Sequence, residues 1–238
     1  MAFILSLETS TPVCSAALHR EGILIASQEY HLPQSTASKL AIIIDQLFKL
    51  SDTQPSQLNA VAISAGPGSY TGLRIGVATG KGFCYALSIP LLAVNTLELM
   101  SYQVASSFPL SKEPIESINE KKMLFAPMLD ARRMEVYTLL TDLSLKTIEP
   151  TEAKIIDELS YQSWLEKNKI IFFGNGAAKC KTVIQHPNSF FMDGIIPSAS
   201  KLGELAFLKF VNSEVVDLAS YEPHYLKDFV AKKPKSVV

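Results

Sequence analysis

The sequence has few of the residues from which catalytic and metal sites are most often built. It contains three cysteines and four histidines in 238 residues, and none of them stand in pairs at metal-ligand spacing. Cys14, Cys84 and Cys180 lie singly in apolar stretches, which is typical of buried thiols in a reducing compartment. The sequence therefore predicts no metal site, no disulfide framework and a cytoplasmic protein.

Long apolar runs and a strong charge of one sign are also missing. No run approaches the ~20 apolar residues of a membrane-spanning helix, and the first residues predict a strand rather than a signal peptide, because no basic region precedes them. The net charge of −1 argues against a protein that binds nucleic acid on its own. With 47% hydrophobic residues, the chain is expected to be globular, with one large or two small domains.

What the sequence does contain is a glycine-rich turn between a strand and a helix. The turn, Gly66-Pro67-Gly68-Ser69-Tyr70-Thr71-Gly72, follows a predicted strand at 59–65 and opens a predicted helix at 71–88. Such a turn can present backbone N–H groups to a phosphate, but the Gly-Lys-Ser/Thr of a P-loop is absent. The pattern is compatible with a phosphate site and with a purely structural turn.

Two predicted helices carry more apolar surface than one sheet contact requires. Glycines 72, 76 and 80 recur on one face of helix 71–88, and each costs up to about 1 kcal/mol relative to alanine, so a close backbone contact should compensate. That contact is either with the domain's own sheet or with another protein. Helix 36–50 has an apolar arc over about half its circumference, wider than the usual core-facing stripe. The predicted partner-interface residues are Ala37, Leu40, Ala41, Ile44, Phe48, Tyr70, Gly72, Leu73, Gly76, Val77 and Gly80.

The predicted elements follow the same order in both halves of the chain. The first half has strands at 3–8, 13–19 and 23–30, helix 36–50, strand 59–65 and helix 71–88, then a strand at 91–94 and a helix from Thr96, which could cap it. After a polar linker at 106–121 come strands at 123–129, 134–141 and 143–149, a helix at 155–167, a strand at 169–173, a helix opened by Gly174-Asn175-Gly176, and a helix at 198–211. The basic stretch 231–235 is interpreted as a solvated end, with RNA contact as the alternative.

Two β-β-β-α-β-α halves are the plan of the actin-like, Hsp70 and sugar-kinase (ASKHA) superfamily, an α/β fold. We expect an N-terminal domain at 1–105 and a C-terminal domain at 106–238 whose last helices can pack back on the first. In that plan the turn after the first strand of each half, here 8–11 and 130–133, faces a cleft between the halves. The carboxylates of Glu8 and Asp130 could hold Mg²⁺ there beside nucleotide phosphates. Alternatively, Thr9 and Ser10 only bond their own turn. The candidate vestigial nucleotide cleft consists of Glu8, Thr9, Ser10, Asp130, Arg132, Gly174 and Gly176.

Several stretches together resemble the bacterial TsaB (YeaZ) family: residues 4–11, 66–76 with 78–82, 129–137 and 222–226. The resemblance spans nearly the whole chain and implies a cytoplasmic, two-domain, actin-like protein that acts with its paralogue TsaD and the ATPase TsaE. That complex transfers a threonylcarbamoyl group from its adenylate to the adenosine beside the anticodon of certain tRNAs. The resemblance implies that this subunit is the non-catalytic member of the complex, a scaffold. From the surplus apolar surface of helices 36–50 and 71–88 we expect it to dock on TsaD, or to form a homodimer when alone. We also expect no required cofactor and weak nucleotide binding at most.

The chain departs from its catalytic paralogue at two places. TsaD carries two metal-ligating histidines four apart on its first helix, whereas the helix at 36–50 has none. Glu8 stands where many relatives have aspartate, which weakens a Mg²⁺ role. The alternative function is a nucleotide-dependent kinase or ATPase that uses Glu8 and Asp130; a metallopeptidase is disfavoured by the missing histidine pair.

Overall fold

The computed structural model describes residues 2–31, 36–107 and 122–227, which form two five-stranded sheets with helices around them. The strands are β1 (Phe3–Glu8), β2 (Cys14–Arg20), β3 (Ile23–Tyr30), β4 (Ala60–Gly66), β5 (Leu91–Asn95), β6 (Met123–Asp130), β7 (Glu135–Asp142), β8 (Thr147–Ile155), β9 (Lys169–Phe173) and β10 (Ser189–Met192). The helices are α1 (Thr36–Leu50), α2 (Tyr70–Leu87), α3 (Thr96–Ser107), α4 (Gln162–Leu165), α5 (Ala177–Cys180) and α6 (Ala199–Val211).

The two sheets have the same strand order. The first runs β3-β2-β1-β4-β5, and the second, taken from its β8 edge, runs β8-β7-β6-β9-β10. In each sheet three antiparallel strands form a meander, and two parallel strands are added beside the first strand of that meander. The predicted α/β fold with two β-β-β-α-β-α halves, the plan of the actin-like superfamily, is therefore confirmed.

Helices cover both faces of the first sheet. α1 and α2 pack on one face, in a core that includes Leu47, Val77 and Ile63. On the other face Leu202 of α6 joins Leu99 of α3 in a second core. Because α6 follows the second sheet in the chain, the C-terminal region supplies one layer of the first half.

Helix α3 connects the two halves of the molecule. Its residues Leu97, Met100 and Val104 pack against one face of the second sheet, whose Phe125 contributes to the same core. The opposite face of that sheet is covered by the region of the short helices α4 and α5. The cleft described below therefore lies between two sheets that share helix α3.

Several predicted boundaries in the second half are wrong. The third strand starts at Thr147 instead of 143, because the Asp142 carboxylate accepts N–H bonds from Ser144 and Lys146, both at 2.9 Å, and closes a tight turn. The predicted helix at 155–167 shrinks to the single turn α4, since β8 continues to Ile155. Strand β10 was not predicted, and the helix after Gly176 is only the one-turn α5.

At the start of α3, Asn95 caps the helix in place of Thr96. The Asn95 side-chain oxygen accepts the N–H of Leu97 at 2.8 Å. Residues 106–107 of the predicted linker belong to α3, while 108–121 and the basic stretch 231–235 lie outside the described residues. Within the part of the chain that the structure describes, no helix is long and apolar enough to cross a membrane.

Candidate functional site

The glycine turn that precedes α2 is pressed against the turn that follows β1. The N–H of Ser69 donates to the carbonyl of Ser10 at 2.6 Å, and the Ser69 hydroxyl caps α2 by accepting the N–H of Gly72 at 3.2 Å. A Cβ atom on Gly68 would stand 2.4 Å from the Ser10 carbonyl oxygen, so only glycine permits this approach. The turn therefore uses its backbone inside the protein.

The glycine face of α2 packs on the protein's own first half. A Cβ atom on Gly72 would lie 2.0 Å from the carbonyl oxygen of Thr9, and one on Gly76 would lie 2.3 Å from the Thr9 hydroxyl. At Gly80 it would meet Ile63 of β4 at 2.9 Å. The sequence allowed this face to contact either the domain's own sheet or another protein. In the structure it packs on the chain's own sheet and on the turn that follows β1.

Other residues assigned to a partner interface are likewise used inside the protein. The sequence grouped them because they share one apolar face of their helix, and that face turns to the sheet. The side chains buried in the first half are Leu40, Ile44, Phe48, Leu73 and Val77. Ala41 is exposed and Tyr70 is half-buried, while the side chain of Ala37 lies outside the described part of the structure.

The opposite, open face of α2 has small residues along its length. Ala78, Gly82 and Ala86 are exposed at four-residue spacing, and a Cβ atom on Gly82 would have no described residue within 4 Å. Tyr85 beside them is 84% exposed. On the neighbouring α1, Leu50 is 78% exposed. We refer to these five residues with Ala41 and Ile42, which is also exposed, as the open face of α1 and α2.

Glu8, predicted to face the cleft, is fully buried at the end of β1. One carboxylate oxygen accepts the N–H and the hydroxyl of Ser10, at 2.6 and 2.5 Å, and the other accepts the hydroxyl of Ser64. Burial raises the pKa of the Glu8 carboxyl to about 7, against the lowering effect of the Ser10 hydrogen bonds. Glu8 therefore does not line the cleft, and neither does Thr9, which lies beneath α2.

A cleft of about 490 Å³ lies between the two halves. From the first half, the turn after β1 and the glycine turn line it; from the second half, Asp130, Arg132 and Asn175 do. Of the predicted cleft residues, Ser10, Asp130 and Arg132 thus line the cleft. The glycines at 174 and 176 do not, because they pack against the backbone of β6.

Asp130 forms hydrogen bonds and an ion pair with other residues of the second half. Its N–H donates to the side-chain oxygen of Asn175 at 2.9 Å, and its carboxylate accepts the N–H of Arg132 at 3.0 Å and the ammonium of Lys179. Glu8 and Asp130 therefore form no shared Mg²⁺ site. Across residues 2–31, 36–107 and 122–227, no group of three or more His, Cys, Asp or Glu residues could hold a metal ion.

The C-terminal segment 224–227 forms another wall of the cleft. His224 donates its N–H to the carbonyl of Ala65 at 2.7 Å, and the Tyr225 ring lies 4.8 Å from that of Tyr70. Lys227 then pairs with Glu135 of the second sheet. The segment thus connects the two halves, and its cleft residues were not predicted, although the sequence had singled out 222–226 as a motif.

One family model and several known proteins are similar to the chain. The model described as TsaD, tRNA N6-adenosine threonylcarbamoyltransferase, matches residues 32–235. The chain is 29% identical to the tRNA threonylcarbamoyladenosine biosynthesis protein TsaB of Bacillus subtilis, over 94% of this chain and 93% of that protein. It is 26% identical to TsaB of Escherichia coli, over 97% and 96%. A crystal structure from Pseudomonas aeruginosa, described as similar to peptidase YeaZ, has a TM-score of 0.80 at 25% identity and covers 95% of this chain and 100% of that one.

Proposed function

The chain belongs to the TsaD family, and within it to the TsaB (YeaZ) proteins, and from this membership we propose that it is a non-catalytic scaffold in tRNA modification. In this proposal it serves threonylcarbamoyl transfer to the adenosine next to the anticodon, as a subunit that binds TsaD and works with TsaE. It meets tRNA through that complex, and it pairs with a second copy of itself when TsaD is absent.

The observation that carries the proposal is the open face of α1 and α2. Gly82 stands inside an 18-residue helix with no described residue within 4 Å of its Cβ position, although glycine there costs about 1 kcal/mol relative to alanine. Within residues 2–31, 36–107 and 122–227, no contact at the Gly82 Cβ position compensates for that cost. A partner helix whose backbone approaches Ala78, Gly82 and Ala86 would do so, because small residues let two helix backbones come close.

The two candidate carboxylates support a non-catalytic role, because both already bond to other residues of the protein. The buried Glu8 accepts hydrogen bonds from Ser10 and Ser64, and Asp130 forms an ion pair with Lys179. Of the histidines, His19 is buried against α6, and His31 is exposed beside Glu29. A kinase or ATPase would hold Mg²⁺ through carboxylates at this cleft. Of the two carboxylates predicted for that role, Glu8 is buried and does not line the cleft, and Asp130 already pairs with Lys179, so the scaffold is favoured over that alternative, and the subunit itself is proposed to require no cofactor.

Two substitutions at one position test the interface. Gly82→Leu adds a branched side chain where the partner backbone should lie, and overpacking of this kind costs about 1–3 kcal/mol, or roughly 5- to 150-fold in affinity. Gly82→Ala is the matched control, since a single methyl group is expected to be tolerated better. The measurements are TsaD affinity and thermal unfolding on the same preparations. Normal TsaD binding by a folded Gly82→Leu protein would contradict the assignment of this face.

A further inference from the structure

A second, smaller pocket lies where helices α3 and α6 meet the end of β7. Its volume is about 250 Å³, and its lining residues include Val94 of the first sheet and Thr141 of the second. It shares no lining residue with the cleft, and none of its lining residues belongs to α1 or α2. Ligand sites form preferentially at such junctions between domains. The pocket is therefore a candidate site that is separate from the cleft and from the open face of α1 and α2.

The buried part of this pocket contains two hydroxyl groups without a partner. Ser101 of α3 and Thr141 of β7 are 0% and 1% exposed. Among the described residues, no group forms a hydrogen bond with the Ser101 Oγ or the Thr141 Oγ1. A buried hydroxyl that leaves water and gains no partner destabilises the folded protein, so such a group in a native protein requires an explanation. A bound group that can form hydrogen bonds would supply the missing partners.

Apolar side chains form much of the remaining lining. Val94 is buried, and Leu145 and Leu205 are half-buried. Leu208 is 54% exposed and extends the apolar lining to the surface. The volume of about 250 Å³ is just below the roughly 300 Å³ at which sites for drug-sized ligands begin. The pocket therefore suits a small ligand with a short hydrocarbon chain.

The charged residues of the pocket leave one negative charge unpaired. They are Glu98, Lys209 and Glu214, of which Lys209 and Glu214 form an ion pair at 3.0 Å. Within the described residues, the Glu98 carboxylate forms neither an ion pair nor a hydrogen bond. Desolvation raises the pKa of Glu98, with Glu214 adding to the rise and Lys209 opposing it. A cation bound in the pocket would neutralise this carboxylate.

The number of hydrogen-bond acceptors indicates which kind of cation fits. A primary ammonium group has three N–H donors and no acceptor, and the pocket offers the Glu98 carboxylate and the hydroxyl oxygens of Ser101 and Thr141. A guanidinium has five donors in a fixed fork, more than these three groups are arranged to accept singly. An anionic ligand would be repelled by Glu98. The lining therefore matches a primary ammonium on a short alkyl chain.

We propose that this pocket binds a primary alkylammonium group, with its charge at Glu98, its N–H groups on the hydroxyls of Ser101 and Thr141, and its alkyl chain against the leucines. The group belongs either to a small free amine or to a lysine side chain of another protein, since both present the same chemistry. The site is independent of the scaffold role. Its failure would leave that role untouched, and the reverse also holds.

The test is an NMR titration of the full chain with labelled leucine and valine methyl groups, because Val94, Leu145 and Leu205 line the pocket and report where a ligand binds. The probes are n-butylammonium and Nα-acetyl-lysine amide, with 1-butanol as the uncharged comparison. Glu98→Gln removes the charge. Its matched control is Glu158→Gln, because Glu158 is also exposed and does not line the pocket.

A further variant, Thr141→Val, removes one hydroxyl and keeps the shape of the side chain. Because this hydroxyl has no partner among the described residues, Thr141→Val should weaken amine binding without lowering the melting temperature. A merely structural hydroxyl would show the opposite pattern, with a lower melting temperature and unchanged binding, and that result would contradict the proposal.

We expect at least one amine to shift the pocket methyl signals with a dissociation constant on the order of 1 mM, since so small a ligand makes few contacts. Glu98→Gln should weaken binding at least about fivefold, as loss of one ion pair implies, and Glu158→Gln should bind as the natural chain does. Tighter binding of the lysine amide identifies a protein lysine as the source, and tighter binding of n-butylammonium identifies a free amine. Equal binding of 1-butanol, equal weakening by both glutamine variants, or no methyl shift with either amine up to about 50 mM, far above the expected constant, would overturn the proposal.

Discussion

Replacing Glu8 by glutamine should flatten the pH dependence of stability. Glu8 is fully buried, and its burial raises the carboxyl pKa from 4.5 to about 7. An acid whose pKa is higher in the folded state contributes stability that is fully present below its unfolded pKa. That contribution is lost as the pH rises through the folded value of about 7, because the folded protein must then bury a charge.

The size of the effect follows from the shift. At 1.36 kcal/mol per pKa unit, a rise from 4.5 to about 7 corresponds to about 3 kcal/mol, most of it lost between pH 5 and 8. Glutamine has nearly the same shape. Its carbonyl can accept the Ser10 N–H and hydroxyl that Glu8 accepts now, and its amide can donate to the Ser64 hydroxyl, which reverses the present bond.

The assay is urea unfolding of both proteins at pH 5 and pH 8. We expect similar stability at pH 5 and a gain of about 2–3 kcal/mol for Glu8→Gln relative to the natural chain at pH 8. Burial lowers the pKa of His19, which makes that histidine destabilising as the pH falls. This contribution is common to both proteins, so their difference reports Glu8. Parallel pH profiles would refute the burial of an ionisable Glu8.

Three further predictions follow from the packing of α2 and from the cleft. Gly72→Ala should lower the melting temperature, because its Cβ would stand 2.0 Å from a backbone oxygen, whereas Gly82→Ala should raise it by about 2–4 °C; similar shifts for both would contradict the assigned faces. The isolated chain should hydrolyse neither ATP nor peptides, and robust turnover that Glu8→Ala abolishes would sink the scaffold proposal. Without TsaD the chain should self-associate through the open face, and sedimentation as a monomer across the micromolar range would count against this.

The order of strands and helices could be predicted because most elements have a clear sequence signal. Helix α1 begins and ends where the sequence predicted, and α2 is shifted by one residue. Strand β8 was misplaced because Thr147–Ile155 contains a proline and three charged residues, which weakens a strand pattern. Such a strand is tolerated at the sheet edge, where β8 lies. Strand β10 and helices α4 and α5 have only four residues each, too few for a periodic pattern.

The orientation of α2 could not be predicted for a different physical reason. Both of its faces consist of small and apolar residues, so periodicity marks two candidate contact surfaces and does not rank them. The backbone of Thr9 decides which face of α2 turns inward, because it comes too close to Gly72 for any side chain at that position. Likewise, all six residues of β1 are buried. Alternation along that strand therefore could not tell whether Glu8 faces the cleft or the interior.

The glycine turn before α2 bears on which half of the cleft can hold an anion. Close packing accounts for Gly68 and Gly72, which face the carbonyls of Ser10 and Thr9. The Ser69 N–H, which a phosphate at this turn would need, already donates to Ser10. An oxyanion placed there would have to break that bond and would meet the carbonyl oxygens. The turn after β6 carries Arg132, which lines the same cleft and forms no ion pair within the described residues, so its guanidinium is offered at no such cost. An anion in this cleft is therefore expected on the side of the second sheet.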